Sequence, residues 1–141
     1  MATKQRFIRL SFFAKRKSHL TENEFHEYWT QRHRALAADW LAKHGVVRYT
    51  QFGKYHTHSS AQSSAEADFP ALQGLPKLEF DGVAEFLMPD AASFHKARED
   101  PYYQAVVFPD EEKLFEWETA KWTVGWEEVW IKDGKVVEPE T

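Results

Sequence analysis

An α+β domain, built in the order strand, helix, strand, strand, helix, strand, is what this sequence predicts, and three observations carry the prediction. Phe7 to Phe13 alternates, with Ile8, Leu10 and Phe12 on one face and Phe7, Arg9 and Ser11 on the other, which is the period of a strand. Phe25, Trp29, Leu36 and Trp40 recur at helical spacing behind Thr21-Glu22-Asn23-Glu24, a capping-box signature in which the Thr21 hydroxyl and the Glu24 carboxylate satisfy each other's backbone N–H. Two later runs, Val83 to Met88 and Thr119 to Ile131, have the composition of strands. The order is the split βαβ pattern of ferredoxin-like domains, a four-stranded antiparallel sheet with helices on one face.

The elements follow in turn. The first helix runs from the capping box to about Lys43, and Gly45 stands where a helix C-cap belongs. Val46 to Phe52 reads as the second strand. The stretch from Gly53 to Lys77, with its serines, Pro70, Gly74 and Pro76, is a long loop, expected to act as a lid or rim over a pocket. After the third strand, Asp90 caps a short helix reaching Arg98. Asp100-Pro101-Tyr102-Tyr103 and Pro109-Asp110-Glu111-Glu112 open two further helical pieces. Asp133-Gly134 is a hairpin-turn signal that folds Val136 and Val137 back. The whole chain, 1–141, is expected to be one domain with 132–141 as a C-terminal arm.

A sheet covered by helices on one side leaves its other side needing cover. Trp122, Val124, Trp126 and Trp130 are expected on that outer face, which predicts face-to-face pairing of two sheets in a homodimer, a dimeric α/β barrel.

The 141 residues carry a formal net charge of −4, with 18 Lys+Arg against 22 Asp+Glu, a balance that argues against a nucleic-acid partner. There is no cysteine, which removes disulfides and Cys-based zinc sites. No run is long enough to span a bilayer, so no membrane partner and a cytoplasmic location are expected. Aromatic residues make up 16 %, with Trp 6, Tyr 5 and Phe 11. Core packing explains most of these rings, and stacking on a flat ligand is their other use.

Chemistry points first to the helix. His26 and His33 lie two turns apart with Trp29 between them, and an imidazole on an inner helix edge exchanges protons near neutral pH. A core histidine satisfied by a carbonyl is the plainer alternative. Asp81 precedes Gly82 and reads as a turn residue, unless it or Glu85 is buried near His33 and orients it. His56 and His58, two apart in the loop, invite a metal reading, but no third ligand stands at motif spacing and no metal is expected. His19, His44 and His95 stand alone. No phosphate loop, dinucleotide fingerprint, Gly-x-Ser-x-Gly elbow or cysteine nucleophile is present. Proton-transfer chemistry in an aromatic-lined pocket remains, or simple binding.

Phe25, Tyr28, Trp29 and His33 form the Phe-x-x-Tyr-Trp…His pattern of the first helix of EthD-domain proteins, and the segment from Leu20 to Leu36 resembles that helix. Arg34-Ala35 stands where the family often has a proline. Val47 to Gln51, Glu79 to Phe86, Asp100 to Tyr103, Pro109 to Glu112 and Thr123 to Glu128 extend the resemblance, and look like the fungal polyketide-tailoring branch. The resemblance implies a dimeric α/β barrel acting on aromatic polyketide intermediates, in particular the decarboxylation of acids of the anthrone or atrochrysone carboxylic type, in secondary metabolism. Other members of the superfamily cyclise, dehydrate or isomerise.

The expectation is therefore a cofactor-independent decarboxylase. His33 supplies or relays the proton, with His26 as a second candidate; Asp81 orients the imidazole; Tyr49 donates to the oxyanion. Tyr28, Trp29, Phe86, Tyr103 and Trp122 grip the flat rings. A dehydratase or aldol-type cyclase using the same His33 is the alternative, and a non-catalytic or haem-binding barrel is a further one.

Overall fold

The computed structural model describes residues 6–54 and 65–138. β1 (Phe7–Arg16) lies inside the sheet. It pairs antiparallel with β3 (Gly82–Met88) on one side and with β4 (Phe115–Glu127) on the other. β2 (Arg48–Gly53) pairs antiparallel with the far side of β3, giving the order β2-β3-β1-β4. This is the ferredoxin-like α+β sheet that the element order predicts.

Between β1 and β2 runs one helical rod. It comprises α1 (Glu22–Tyr28), a π-helical turn over Trp29–His33, and α2 (Arg34–Lys43). The capping box forms as expected: Thr21 Oγ1 accepts from Glu24 N at 3.1 Å and Glu24 Oε1 accepts from Thr21 N at 3.0 Å. Gly45 follows the rod at φ +94°, where an added Cβ would meet Ser93 Oγ at 2.9 Å. α3 (Ala65–Asp68) and a 3₁₀ turn over Pro70–Leu72 lie in the long connection before β3. α4 (Ala92–Glu99), a second π-helical turn over Tyr103–Val107, and α5 (Phe108–Leu114) complete the helical layer. Past β4, β5 (Ile131–Lys132) and β6 (Lys135–Val136) make a small hairpin, turned by Asp133 at φ 52° and Gly134 at φ 77°. Among the described residues no helix is long and apolar enough to cross a membrane.

The outer-face expectation for β4 needs correction. Phe12 stands opposite both Ala84 and Trp122, and its ring lies 4.6 Å from that of Trp122. Trp122 therefore shares the face that the helices cover. A bulge is the reason. Lys15 pairs with Glu116 but Phe13 pairs with Lys121, so five steps of β4 face two of β1. Three additional residues, an odd number, invert the alternation, so Phe115 before the bulge and Trp122 after it point the same way. Thr119 builds the bulge: its Oγ1 accepts from Lys15 N at 3.1 Å and donates to Glu116 O at 2.7 Å.

Val124 (67 % exposed) and Trp126 (60 %) continue the helix-side row of this edge strand and are exposed. Trp130 lies past the end of β4. The opposite face carries Arg9, Ser11, Phe13, Glu85 and Leu87, with an Arg9 Nη2–Glu85 Oε1 ion pair at 2.9 Å.

Candidate active site

A pocket lies between the sheet and the helices. Phe12, Ala84, Phe86, Tyr49 and Trp122 form its floor, and Trp29, His33, Trp40, Tyr103 and Glu111 stand over them. It is a cleft walled mostly by aromatic rings and partly open to solvent, the apolar lining with a few polar groups that small-molecule sites have. The two π-helical turns build its upper wall. In each the N–H closes on a carbonyl five residues back, Arg34 on Trp29 and Phe108 on Tyr103. The wider turn brings both Trp29 and His33 to the buried side. Such turns recur at functional sites. Gly82 lets Trp29 lie against the sheet, since a Cβ there would come within 2.9 Å of the indole.

His33 is 4 % exposed and Asp110 likewise 4 %. His33 Nδ1 lies 2.8 Å from Asp110 Oδ2. The Tyr28 hydroxyl donates to the other oxygen, Asp110 Oδ1. Burial raises the Asp110 pKa, but the hydrogen bonds from His33 and Tyr28 outweigh it and hold the carboxyl below its ordinary range. The same bond pushes the Tyr28 hydroxyl up. Asp110 is thus an anion fixed behind the imidazole, leaving Nε2 as the nitrogen for the pocket.

Two more polar groups stand in the wall. Tyr49 stacks on Phe86, with centroids 5.4 Å apart and planes 6° apart. Its oxygen accepts from Gln51 Nε2 at 2.9 Å, so its own proton is left to donate. Burial pushes its pKa up to about 12, so it stays protonated. Glu111 Oε2 accepts from the Tyr103 hydroxyl at 3.2 Å, and burial pushes its carboxyl up to about 7. The indole N–H of Trp117, also on the wall, is buried with no acceptor among the described residues. Two proton carriers, one imidazole backed by an anion and one carboxyl poised near neutrality, suit acid–base chemistry on an apolar ligand.

Of the residues singled out in the sequence, His33, Tyr49, Trp29, Phe86, Tyr103 and Trp122 all meet in this pocket. Three do not. Asp81 is the first correction: its Oδ1 takes Arg16 Nη1 at 2.7 Å and its Oδ2 takes Arg16 N at 2.9 Å. It ties the end of β1 to the start of β3, and Asp110 holds His33 instead. His26 packs against the end of β2, where a Cβ on Gly53 would meet its Cε1 at 2.6 Å; the π-helical turn rotates His33 out of the stripe they would share. Tyr28 lies behind the wall and grips Asp110, not a ligand. Glu85, the other carboxylate considered, pairs with Arg9 on the far face. His56 and His58 lie outside the described residues, and the described part of the long loop adds nothing to the pocket wall.

Asp110, Glu111 and Arg98 are the site residues that sequence reasoning missed. Asp110 and Glu111 sit in the first turn of α5, where acidic residues ordinarily answer the helix dipole. The available signals were their adjacency behind Pro109, because consecutive positions point to different sides of a helix, and the place of Pro109 to Glu112 among the segments that carry the family resemblance.

A decarboxylase of Passalora fulva, claH, is 25 % identical over 134 residues, covering 94 % of this chain and 84 % of its own. The conidial pigment biosynthesis dehydratase EthD of Metarhizium robertsii is 26 % identical over 139 residues, covering 94 % and 91 %. Among solved structures, an EthD family protein of Bacillus halodurans superposes with a TM-score of 0.57 at 14 % identity, over 87 % of this chain and 99 % of that one. The EthD domain profile matches residues 17–117, a span from the end of β1 through Trp29, His33, Asp110 and Glu111 into β4, and the chain belongs to the EthD domain family.

Proposed function

We propose that this protein is a lyase that removes carbon dioxide from a fused-ring aromatic polyketide carboxylic acid, of the anthrone or atrochrysone carboxylic type, without a cofactor. The observation that carries the reading is His33 standing in the wall of an aromatic slot with Asp110 and Tyr28 bonded in a chain behind it. Breaking the bond to the carboxylate leaves an electron pair on carbon, and a β-carbonyl accepts it as an enolate. Tyr49 donates its proton's hydrogen bond to that oxygen. Carbon dioxide leaves, His33, protonated and paired with Asp110, delivers its Nε2 proton to the carbon, and the enolate becomes the neutral ketone, which tautomerises to the phenol in an aromatic ring. Trp29, Phe86 and Trp122 hold the rings. The active unit is proposed to be a homodimer, because Val124, Trp126, Trp130 and Ile131 expose an apolar strip.

One observation favours a second reading. Glu111, whose carboxyl burial raises to about 7 so that about half of it is protonated at pH 7, suits protonation of a leaving hydroxyl while His33 takes the proton from the neighbouring carbon, which is dehydration. Product mass separates the two. Purified protein incubated with a panel of hydroxyanthrone and atrochrysone-type carboxylic acids should yield products lighter by one carbon dioxide. Products lighter by one water make it a dehydratase, and unchanged acids contradict both.

A further inference from the structure

Arg98, on α4, lines the mouth of the pocket and is exposed. Its guanidinium carbon lies 4.4 Å from the Tyr103 ring centroid and 5.5 Å from that of Phe94. Among the described residues these ring faces hold it, and no carboxylate pairs with it. Trp40 also stacks on Tyr103, at 5.3 Å and 23°, so the ring under the guanidinium is itself fixed. A cation held on aromatic faces at the mouth of an apolar pocket keeps its bidentate fork for a ligand.

Glu111 is the second half of the arrangement. The Tyr103 hydroxyl ties it to the ring that carries Arg98. The charged and titratable groups facing it are His33 from the first π-helical turn, Arg98 from α4, Tyr103 from the second π-helical turn, Tyr49 from β2 and Asp110 beside it on α5. Burial opposes its ionisation most; His33, Arg98 and the Tyr103 hydroxyl favour ionisation, and Asp110 adds to the opposition.

We propose that Arg98 and Glu111 form a carboxylate-reading subsite, in which the guanidinium pairs with the carboxylate of an aromatic acid and Glu111 takes up a proton from solvent as that anion arrives. The subsite rests on the reading that the pocket takes an aromatic acid, and it adds how the acid is told from its neutral product. An arriving carboxylate neutralises the Arg98 field that favours ionised Glu111, places a like charge beside it and displaces water, and all three effects favour the protonated form. Once the carboxylate is gone, Arg98 loses its partner, Glu111 releases its proton, and the product is held without the ion pair.

Calorimetric titration tests this with 3-hydroxy-2-naphthoate and its primary amide as probes, at pH 7 and pH 8, in buffers of different ionisation enthalpy. The naphthoate should bind roughly tenfold or more tightly than the amide, the scale of one charge-assisted pair. Proton uptake with the naphthoate should be about one half at pH 7 and close to one at pH 8, since Glu111 titrates near 7. Arg98→Gln should remove the preference for the acid and leave amide binding within a few-fold. Glu111→Gln, which keeps an acceptor for Tyr103, should abolish uptake at pH 8. Equal binding of acid and amide, no naphthoate binding at millimolar concentration, or uptake that persists in Glu111→Gln and so belongs to His33, each overturns the subsite. Turnover is a separate readout. Naphthoate binding with proton uptake but no decarboxylation of any β-keto acid contradicts the decarboxylase reading alone.

Discussion

His33 Nδ1 and Asp110 Oδ2 stand 2.8 Å apart and buried, although 77 positions of chain separate them. The bond joins the first helical rod to α5 across the top of the pocket. It fixes which imidazole nitrogen faces the ligand, and it supplies the negative charge that an imidazolium needs in an apolar wall.

Asp110→Asn tests the charge while sparing the shape. Turnover of the aromatic acid should fall by roughly 10²-fold or more, on the scale of lost acid–base catalysis, while the melting temperature shifts by only a few degrees. Steady-state rates and thermal melts on the same preparation check this. A rate within a few-fold of wild type would mean that the charge behind His33 has no part in the reaction.

Asp81→Asn should do the reverse. It removes the carboxylate that pairs with the Arg16 side chain at 2.7 Å and that is not part of the pocket wall. Stability should drop by about 1–3 kcal/mol, read by chemical denaturation, with turnover per folded molecule unchanged. A folded variant that has lost turnover would return Asp81 to the site.

Glu111→Gln carries a pH signature in stability. Burial raises the Glu111 pKa from 4.5 to about 7, so the fold favours its protonated form. That contribution is complete below pH 4.5 and is lost as pH rises through about 7. Glutamine does not ionise. The variant should therefore gain stability over wild type between pH 5 and pH 8, by about 3 kcal/mol at most, and show no such gain at pH 4. A constant difference across that range would contradict a buried, titrating Glu111.

The exposed strip of Val124, Trp126, Trp130 and Ile131 should be covered in solution by a second copy. Light scattering at micromolar concentration should give twice the 16.5 kDa chain mass, and Trp126→Glu should shift it toward the single-chain value. A wild-type mass of one chain would contradict the dimer.

The order of elements along the chain and both ends of the helical rod were legible because they rest on local signals: alternation in Phe7–Phe13, the Thr21–Glu24 capping box, Gly45 after the helix. The face of Trp122 was not. Its direction depends on the three additional residues of the bulge at Thr119, which disappear in a smooth count by twos. The position of His33 in the pocket could be read from its neighbours on the helix, but its stripe could not, because the π-helical turn changes the angle per residue. Asp110 was hidden for a different reason. Its partners, Tyr28 and His33, are brought to it by the tertiary fold, and locally it looks like any acid at a helix start. Asp81, the nearest carboxylate in the pattern, answers Arg16.

The central claim is that His33 moves the proton. The most direct measurement is decarboxylation of a β-keto aromatic acid by His33→Ala and His33→Gln, with thermal melting followed on the same samples. Both variants should fold and melt near wild type, and both should lose roughly 10²–10⁴-fold in rate, glutamine included, because an amide can hold a hydrogen bond to Asp110 but cannot carry a proton. If instead alanine lowers stability by about 1–3 kcal/mol and glutamine restores both fold and turnover to within a few-fold of wild type, His33 is a structural histidine and the account is wrong.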